Sequence, residues 1–282
     1  MSVSPWVVET STGKKILIRN CSGFEELDAC VDLQIAVWGY SNDDVIPRRV
    51  FIVAQRVAGQ VIGAFDLNRG GGEAETGREN MIGFAMALPA IHASGKDGAP
   101  EAYMHSHMLA VDPRYRNDGI GRRLKLFQRQ EALDRKIGLM EWTFDPLEIK
   151  NSFLNIHRLG TIVRSYTPNF YGVSSSRLQA GLPTDRLHAE WYLGSRRVRA
   201  ILDGAPYTSP TIRETIEVPA SIGEWKSSED DFPKAVAVQS EIRQRLQQAF
   251  QSGLAITGFR RDSAGNGNFE LSAFEELERD LL

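Results

Sequence analysis

Cysteine is almost absent from this chain: Cys21 and Cys30 are the only two in 282 residues. Two thiols cannot build a disulfide framework, so a small secreted scaffold held by cross-links is excluded and both are expected to be reduced and structural. Positive charge is not in excess either. The 33 Lys and Arg face 36 Asp and Glu, for a net charge of −3, and this removes the electrostatic footprint of a nucleic-acid partner. Long hydrophobic runs are also missing. The longest, Met81 to Ala93, is broken by Pro89 and falls short of the roughly 20 apolar residues a membrane-crossing helix needs. No basic stretch followed by an apolar one opens the chain, so no signal peptide and no membrane partner are expected. The expected setting is therefore cytoplasmic.

The patterning that is present alternates between two periods. Phe24, Leu27, Val31, Ile35 and Trp38 recur at three or four residues, a helical stripe, with Ser22 and Glu25 reading as a capping box and Gly39 ending it. Pro47 suits the first turn of a second helix. Lys15 to Arg19, Val61 to Asn68, Met81 to Leu88, Tyr103 to Val111 and Leu139 to Phe144 read as strands. Gly70-Gly71-Gly72 reads as a hairpin tip. A helix is expected from Ile120 to Lys136 and a short one from Asn151 to Leu159, stopped by Gly160. Thr161 to Tyr171 and His188 to Leu193 complete a βααβββαβαββ order, which mixes hairpins with βα crossovers and excludes a doubly wound sheet. The expected fold is α/β in the α+β sense, a mixed, mostly antiparallel sheet flanked by helices. Residues 1–195 are expected to form the main domain and 196–282 a small C-terminal α/β extension. In that extension Phe232, Val236, Ile242, Leu246 and Phe250 make an apolar helix stripe.

The most informative segment is Val111 to Leu124, VDPRYRNDGIGRRL. A strand ends in Asp112-Pro113, and a polar loop closes on Gly119-Ile120-Gly121 and runs straight into a helix. Glycines permit close backbone approach, and a helix start presents unpaired N–H groups with a favourable dipole, so the segment suits an anion such as a phosphate.

Arg116-Asn117-Asp118-Gly119-Ile120-Gly121, between that strand and that helix, resembles motif A of the GNAT superfamily of acyltransferases, and the element order resembles that fold over roughly residues 15 to 195. Further stretches, among them HSHMLAV, WTFDPL, NIHRLG and NFYG, are similar to a branch of acetyltransferases partly associated with amino-acid N-succinylation. The resemblance implies acetyl-CoA or succinyl-CoA as donor, with no metal. It places the pyrophosphate against Arg116, Asn117, Asp118, Gly119, Ile120 and Gly121. The thioester end would run beside Leu109, Ala110 and Val111. It implies direct transfer to the amine of a small molecule, with no acyl-enzyme. A non-catalytic acyl-CoA-binding or sensing module is the alternative from another class, and a domain that has lost CoA binding is a third.

Candidate residues follow from that chemistry. His105 and His107 lie two apart on the strand leading to the loop, and by strict alternation share a face with Leu109 and Val111. Either is a candidate base, since imidazole titrates near neutrality. The other readings are hydrogen-bonded core histidines, or a two-His metal pair that lacks a third ligand. Asp145, after the next strand, is a second candidate base or an ammonium anchor, and equally the start of a turn; Glu141 is weaker. The tyrosine acid that many family members carry falls on Ile156 here, so Tyr171 and Tyr166 are candidate replacements, and departure of the CoA thiolate without a dedicated acid is the other reading. Asn151 matches the family's CoA-binding Asn, or caps its helix. Trp38, in the loop after the first helix, and Arg164 and Arg186 are candidate substrate contacts, the arginines for a carboxylate, with a surface or structural ion pair as the other reading for each arginine. The C-terminal extension is expected either to cover the acceptor cleft or to make a homodimer contact.

Overall fold

A computed structural model describes residues 3–41, 43–69, 77–93 and 98–281. The glycine tip Gly70-Gly71-Gly72 lies outside the described residues. The chain forms two compact units, one of residues 1–140 with 175–177, the other of 141–174 with 178–282. Among the described residues, no helix is long and apolar enough to cross a membrane.

The first unit is an antiparallel meander of β1 (Trp6–Glu9), β2 (Lys15–Asn20), β3 (Gln60–Asp66), β4 (Met81–His92) and β5 (Glu101–Val111), neighbours in that order. Its helices are α1 (Gly23–Trp38), α2 (Arg48–Arg56) and α3 (Ile120–Asp134). Two apolar clusters form. Leu27, Cys30, Leu33 and Phe51 of the first two helices pack with Phe65, Phe84, Met86 and Met108. Ile120, Leu124 and Phe127 of α3 pack with Ile16, Ile18, Ile62 and Ile82. The strands are thus buried on both faces, which is why β3 reads as a nearly continuous apolar run. Cys21 and Cys30 are free and buried in the first cluster.

The start of α1 differs from the expected capping box. Ser22 occupies the cap position without a side-chain bond. Instead the Glu26 carboxylate accepts from the Ser22 amide at 2.7 Å and pairs with Arg19 at 2.6 Å. The loop after α1 is held by two devices. Gln34, fully buried, bonds both the N–H and C=O of Ile46, at 2.8 and 3.0 Å. Residues 175–177 return to the loop. Ser175 Oγ accepts from the Ser41 amide, the Ser175 amide donates to Asp44, and the Arg177 amide donates to the Trp38 carbonyl at 2.9 Å. Gly39, at φ +69°, lies directly under the Arg177 side chain, where a Cβ would collide with Nε.

The second unit takes up most of β6 (Leu139–Phe144), followed by α4 (Ile149–Ser152), which runs on into a π-helical segment, Phe153–Arg158. Then come β7 (Ile162–Thr167), β8 (Arg186–Tyr192), α5 (Arg196–Asp203), β9 (Glu214–Val218), α6 (Ile222–Ser227), α7 (Phe232–Gln251), β10 (Leu254–Arg261) and β11 (Gly267–Ala273). The strand order is β6-β8-β7-β10-β11-β9. A division at 195/196 was expected, but that point falls inside this unit. β10 pairs with β7 through Ile256 and Val163, and the buried Arg197 guanidinium donates to the carbonyls of Gly160 and Thr257. These links join residues far apart in sequence, so composition carries no sign of them. On α7 the buried positions are Ala235, Gln239, Ile242, Leu246 and Ala249, whereas Val236 is 44% exposed. The expected stripe was therefore rotated away from its true face at one end.

Asp185 anchors α7. Its fully buried carboxylate accepts from Tyr166 Oη, the Asn169 amide and the Arg243 guanidinium, the last at 2.8 and 3.0 Å. Asp185→Ala leaves those donors unmatched and is expected to lower stability by about 3–5 kcal/mol. A urea midpoint indistinguishable from wild type would contradict this.

Candidate active site

The loop between β5 and α3 is built from its anchors inward. Asp112 accepts from the Arg114 amide at 2.9 Å and from its guanidinium, which holds the Asp112 carboxyl below the usual carboxylate range. Pro113 to Tyr115 make one 3-10 turn. Tyr115 is buried and donates to Asp66 at 2.6 Å; burial, then that bond, pushes its phenol up to about 12. Beyond these anchors the chain adopts left-handed backbone at Asn117 (φ +70°) and Gly119 (φ +75°). Asn tolerates that region better than most residues, and glycine tolerates it freely.

Gly119 is the cap residue of α3 and has no side chain to satisfy the helix amides. Among the described residues, the N–H groups of Asn117, Asp118, Gly119, Ile120 and Gly121 donate to no other group. Arg123 donates to the Asp118 carbonyl at 3.0 Å and to the Glu9 carbonyl, and Lys14 lies 3.8 Å from the Asp118 carboxylate. Lys14 thereby offsets the Asp118 carboxylate, and a row of backbone donors remains at a positive helix end. Such an arrangement binds an anion. A Cβ at Gly119 would meet only Arg123, at 3.8 Å, so the backbone there is approachable.

Strand β5 carries a bulge next to this loop. Met86 pairs with Met108 and Ala87 with Ser106, so His107 has no partner on β4. The extra residue reverses the faces of the strand. Before it, Ser106 points to α3, where it bonds Lys125 and Gln128. After it, Met108 and Ala110 join the α1–α2 cluster, while Leu109 and Val111 pack with the α3 cluster. The single face expected for His105, His107, Leu109 and Val111 is therefore corrected, because simple alternation cannot anticipate a bulge. His107 is exposed at the strand surface, yet the surrounding protein desolvates the imidazole and lowers its pKa. His105 is half-buried, its ring 6.1 Å from that of His107. Trp38, at the end of α1, stacks on Tyr40 at 5.3 Å.

The remaining candidates lie in the second unit. Asp145 is buried after β6. Its Oδ1 accepts from the Leu147 amide, and Lys226 of α6 sits 3.9 Å from Oδ2 and 2.9 Å from Glu148. Burial raises the Asp145 pKa and Lys226 opposes the rise. Tyr171 is 46% exposed, and its hydroxyl shares a hydrogen bond with Thr143 at 2.9 Å. Asn151 is exposed within α4, and Glu148, not Asn151, holds the cap position. Arg164 is engaged bidentately by Glu190, and Arg186 bonds Gln179 and the Asp185 carbonyl. Both arginines thus have internal partners. Among the described residues no group of three His, Cys, Asp or Glu could hold a metal.

Sequence reading missed the lysine beside Asp145, which lies about eighty residues downstream, and the Ser106–Lys125–Gln128 group. A polar residue on an otherwise apolar strand face was the only available signal for the latter.

No family model matches the chain, and no curated protein matches it. Solved structures do. The Escherichia coli ribosomal-protein-S18-alanine N-acetyltransferase is 15% identical over 63% of this chain and 94% of its own, with a TM-score of 0.44. Arabidopsis thaliana NAA60 in complex with acetyl-CoA is 14% identical over 63% and 99%, with a TM-score of 0.48. FeeM, an N-acyl amino acid synthase from uncultured soil microbes, is 12% identical over 68% and 99%, with a TM-score of 0.46. At these identities and TM-scores the likeness carries no chemistry, which has to be read from the loop itself.

Lys226→Met removes the cation that opposes the burial of Asp145. The Asp145 pKa is expected to rise further, followed by carbon-13 NMR titration of its carboxyl; an unchanged or lowered value would contradict the pairing.

Proposed function

We propose that this chain is an acyl-CoA-dependent N-acyltransferase acting on the amine of a small molecule, with an amino acid the favoured acceptor. The observation that carries the reading is the row of unmatched amides from Asn117 to Gly121 at the start of α3. In this reading they receive the donor's pyrophosphate, and the thioester end runs along Leu109 to Val111. The donor is acetyl-CoA or succinyl-CoA, and the reaction is cytoplasmic.

The amine must attack in its neutral form. His107, held largely neutral at pH 7 by desolvation, takes the ammonium proton directly or through water. The nitrogen then bonds to the thioester carbon, the C–S bond breaks, and the thiolate accepts a proton. That proton comes from solvent; in the second unit the Tyr171 hydroxyl is bonded to Thr143 and that of Tyr166 to Asp185, and neither is assigned to the step. No covalent intermediate on the protein is required, and the buried Cys21 and Cys30 are not used.

Calorimetric titration with acetyl-CoA, succinyl-CoA and CoA tests the donor site, followed by CoA release with a panel of primary amines. Failure of all three to bind would end the proposal. Gly119→Glu adds strain at a positive φ and a negative charge to the cradle, and is expected to weaken CoA binding by at least about 100-fold. His107→Ala is expected to lower kcat by roughly 10²–10⁴-fold with little change in CoA affinity. Because the base acts unprotonated, the wild-type rate should fall as pH drops through the His107 pKa, below the ordinary histidine value of 6.5. A rate independent of pH across that range would remove His107 from the role.

A further inference from the structure

We propose that Ser106, Lys125 and Gln128 are positioning residues that fix the axial register of α3 against β5, and with it the span from the amide cradle to His107. The inference rests on the acyl-transfer reading and adds to it what holds the two ends of the donor site in step.

α3 turns a polar edge inward. Lys125 Nζ donates to Ser106 Oγ at 2.7 Å, and Ser106 Oγ donates to Gln128 Oε1 at 3.1 Å. Gln60 Nε2 on β3 donates to the Gln128 carbonyl at 3.0 Å, and Asn20 Nδ2 on β2 donates to Glu131 Oε1 at 3.1 Å. The helix is therefore pinned by hydrogen bonds to three strands. Lys125 and Ser106 are each 4% exposed, and Gln60 and Gln128 are fully buried.

This seam is a poor way to gain stability. Taking an amine out of water is costly, and burial lowers the Lys125 pKa well below its usual value. Gln60 Oε1, Gln128 Nε2 and Glu131 Oε2 are buried with no hydrogen-bond partner among the described residues. Apolar side chains of similar size would avoid those costs. What they would not supply is direction. Ile120, Leu124 and Phe127 pack against small or aliphatic residues such as Ala64, Ala85 and Ile62, contacts that tolerate a sliding helix. Hydrogen bonds of this length do not tolerate it.

The pinned positions are those that matter for the donor. Lys125 lies four residues, or about 6 Å of helix axis, beyond Gly121, the last residue of the cradle. Ser106 immediately precedes the bulged His107. A slip of α3 along β5 would change the distance between the anion-binding amides and the base while leaving each intact.

The test compares Ser106→Ala, Lys125→Met and Ser106→Thr with wild type, in the full chain. Ser106→Ala and Lys125→Met are expected to keep CoA affinity within about threefold and to lose at least about tenfold in kcat. Ser106→Thr, which retains the hydroxyl, is expected to recover kcat to within about threefold of wild type. The pH at which the rate falls should stay where it is, because the base is unchanged. Wild-type kcat in both Ser106→Ala and Lys125→Met, with only a lower Tm, would reduce the seam to packing and overturn the proposal. Loss of the pH dependence in Lys125→Met would overturn it by making Lys125 the base. If wild type turns over no amine, the acyl-transfer reading fails and the register is read without activity, from the proton–nitrogen NMR signals of the His107 ring. These signals should move in Ser106→Ala and stay in Ser106→Thr; no movement in either overturns the register claim.

Discussion

One unpaired residue in β5 governs the first unit. Because His107 has no partner on β4, every side chain after it is delivered to the face opposite the one alternation predicts. Met108 and Ala110 thereby complete the core under α1 and α2, and Leu109 and Val111 complete the core under α3. Without the extra residue both clusters would lose apolar side chains and the loop at Asp112 would start from the wrong face. The bulge also frees backbone and side chain at one point of a strand that is otherwise fully paired, next to the anion-binding loop.

The loop itself illustrates how polar backbone is left unsatisfied by design. Helix starts usually recruit a Ser, Thr, Asp or Asn side chain to cover their amides. Here a glycine holds the cap position, and the nearby Asp118 is engaged by Lys14 instead of by the helix. The anchors that hold the loop open, Asp112 on Arg114 and Tyr115 on Asp66, all lie upstream of the exposed amides. Rigidity is supplied on one side and binding capacity on the other. The same division appears in α3, whose N-terminal turn faces outward with bare amides and whose later turns face inward with bonded side chains.

Much of this was legible in the residues. The loop from Arg116 to Gly121 and its flanking strand and helix could be read because each rests on local chemistry: glycine, proline and a regular apolar period. Long-range features could not be read. The bulge at His107 depends on the register of β4. The Glu26 cap of α1 replaces the local capping box because Arg19 draws the carboxylate to the strand end. The second unit's extent depends on Arg197 reaching two carbonyls 37 and 60 residues away along the chain, and the pairing of Asp145 with Lys226 spans a still longer gap. The short helix expected to end at Gly160 does end there, but its last turns are π-helical. The Leu159 amide bonds back five residues to Leu154, while the Leu159 carbonyl receives the Trp191 indole at 2.7 Å.

The return of residues 175–177 to the first unit has an architectural meaning. The chain leaves that unit after β6 begins, builds thirty-four residues elsewhere, and comes back only to supply three. Those three occupy the Trp38 carbonyl, the Ser41 amide and the Asp44 carboxylate, and lay a guanidinium side chain over Gly39. The first 140 residues therefore do not carry a complete set of their own loop contacts. The two compact units are stitched rather than strung, and neither can be inherited, shuffled or trimmed as a simple contiguous cassette.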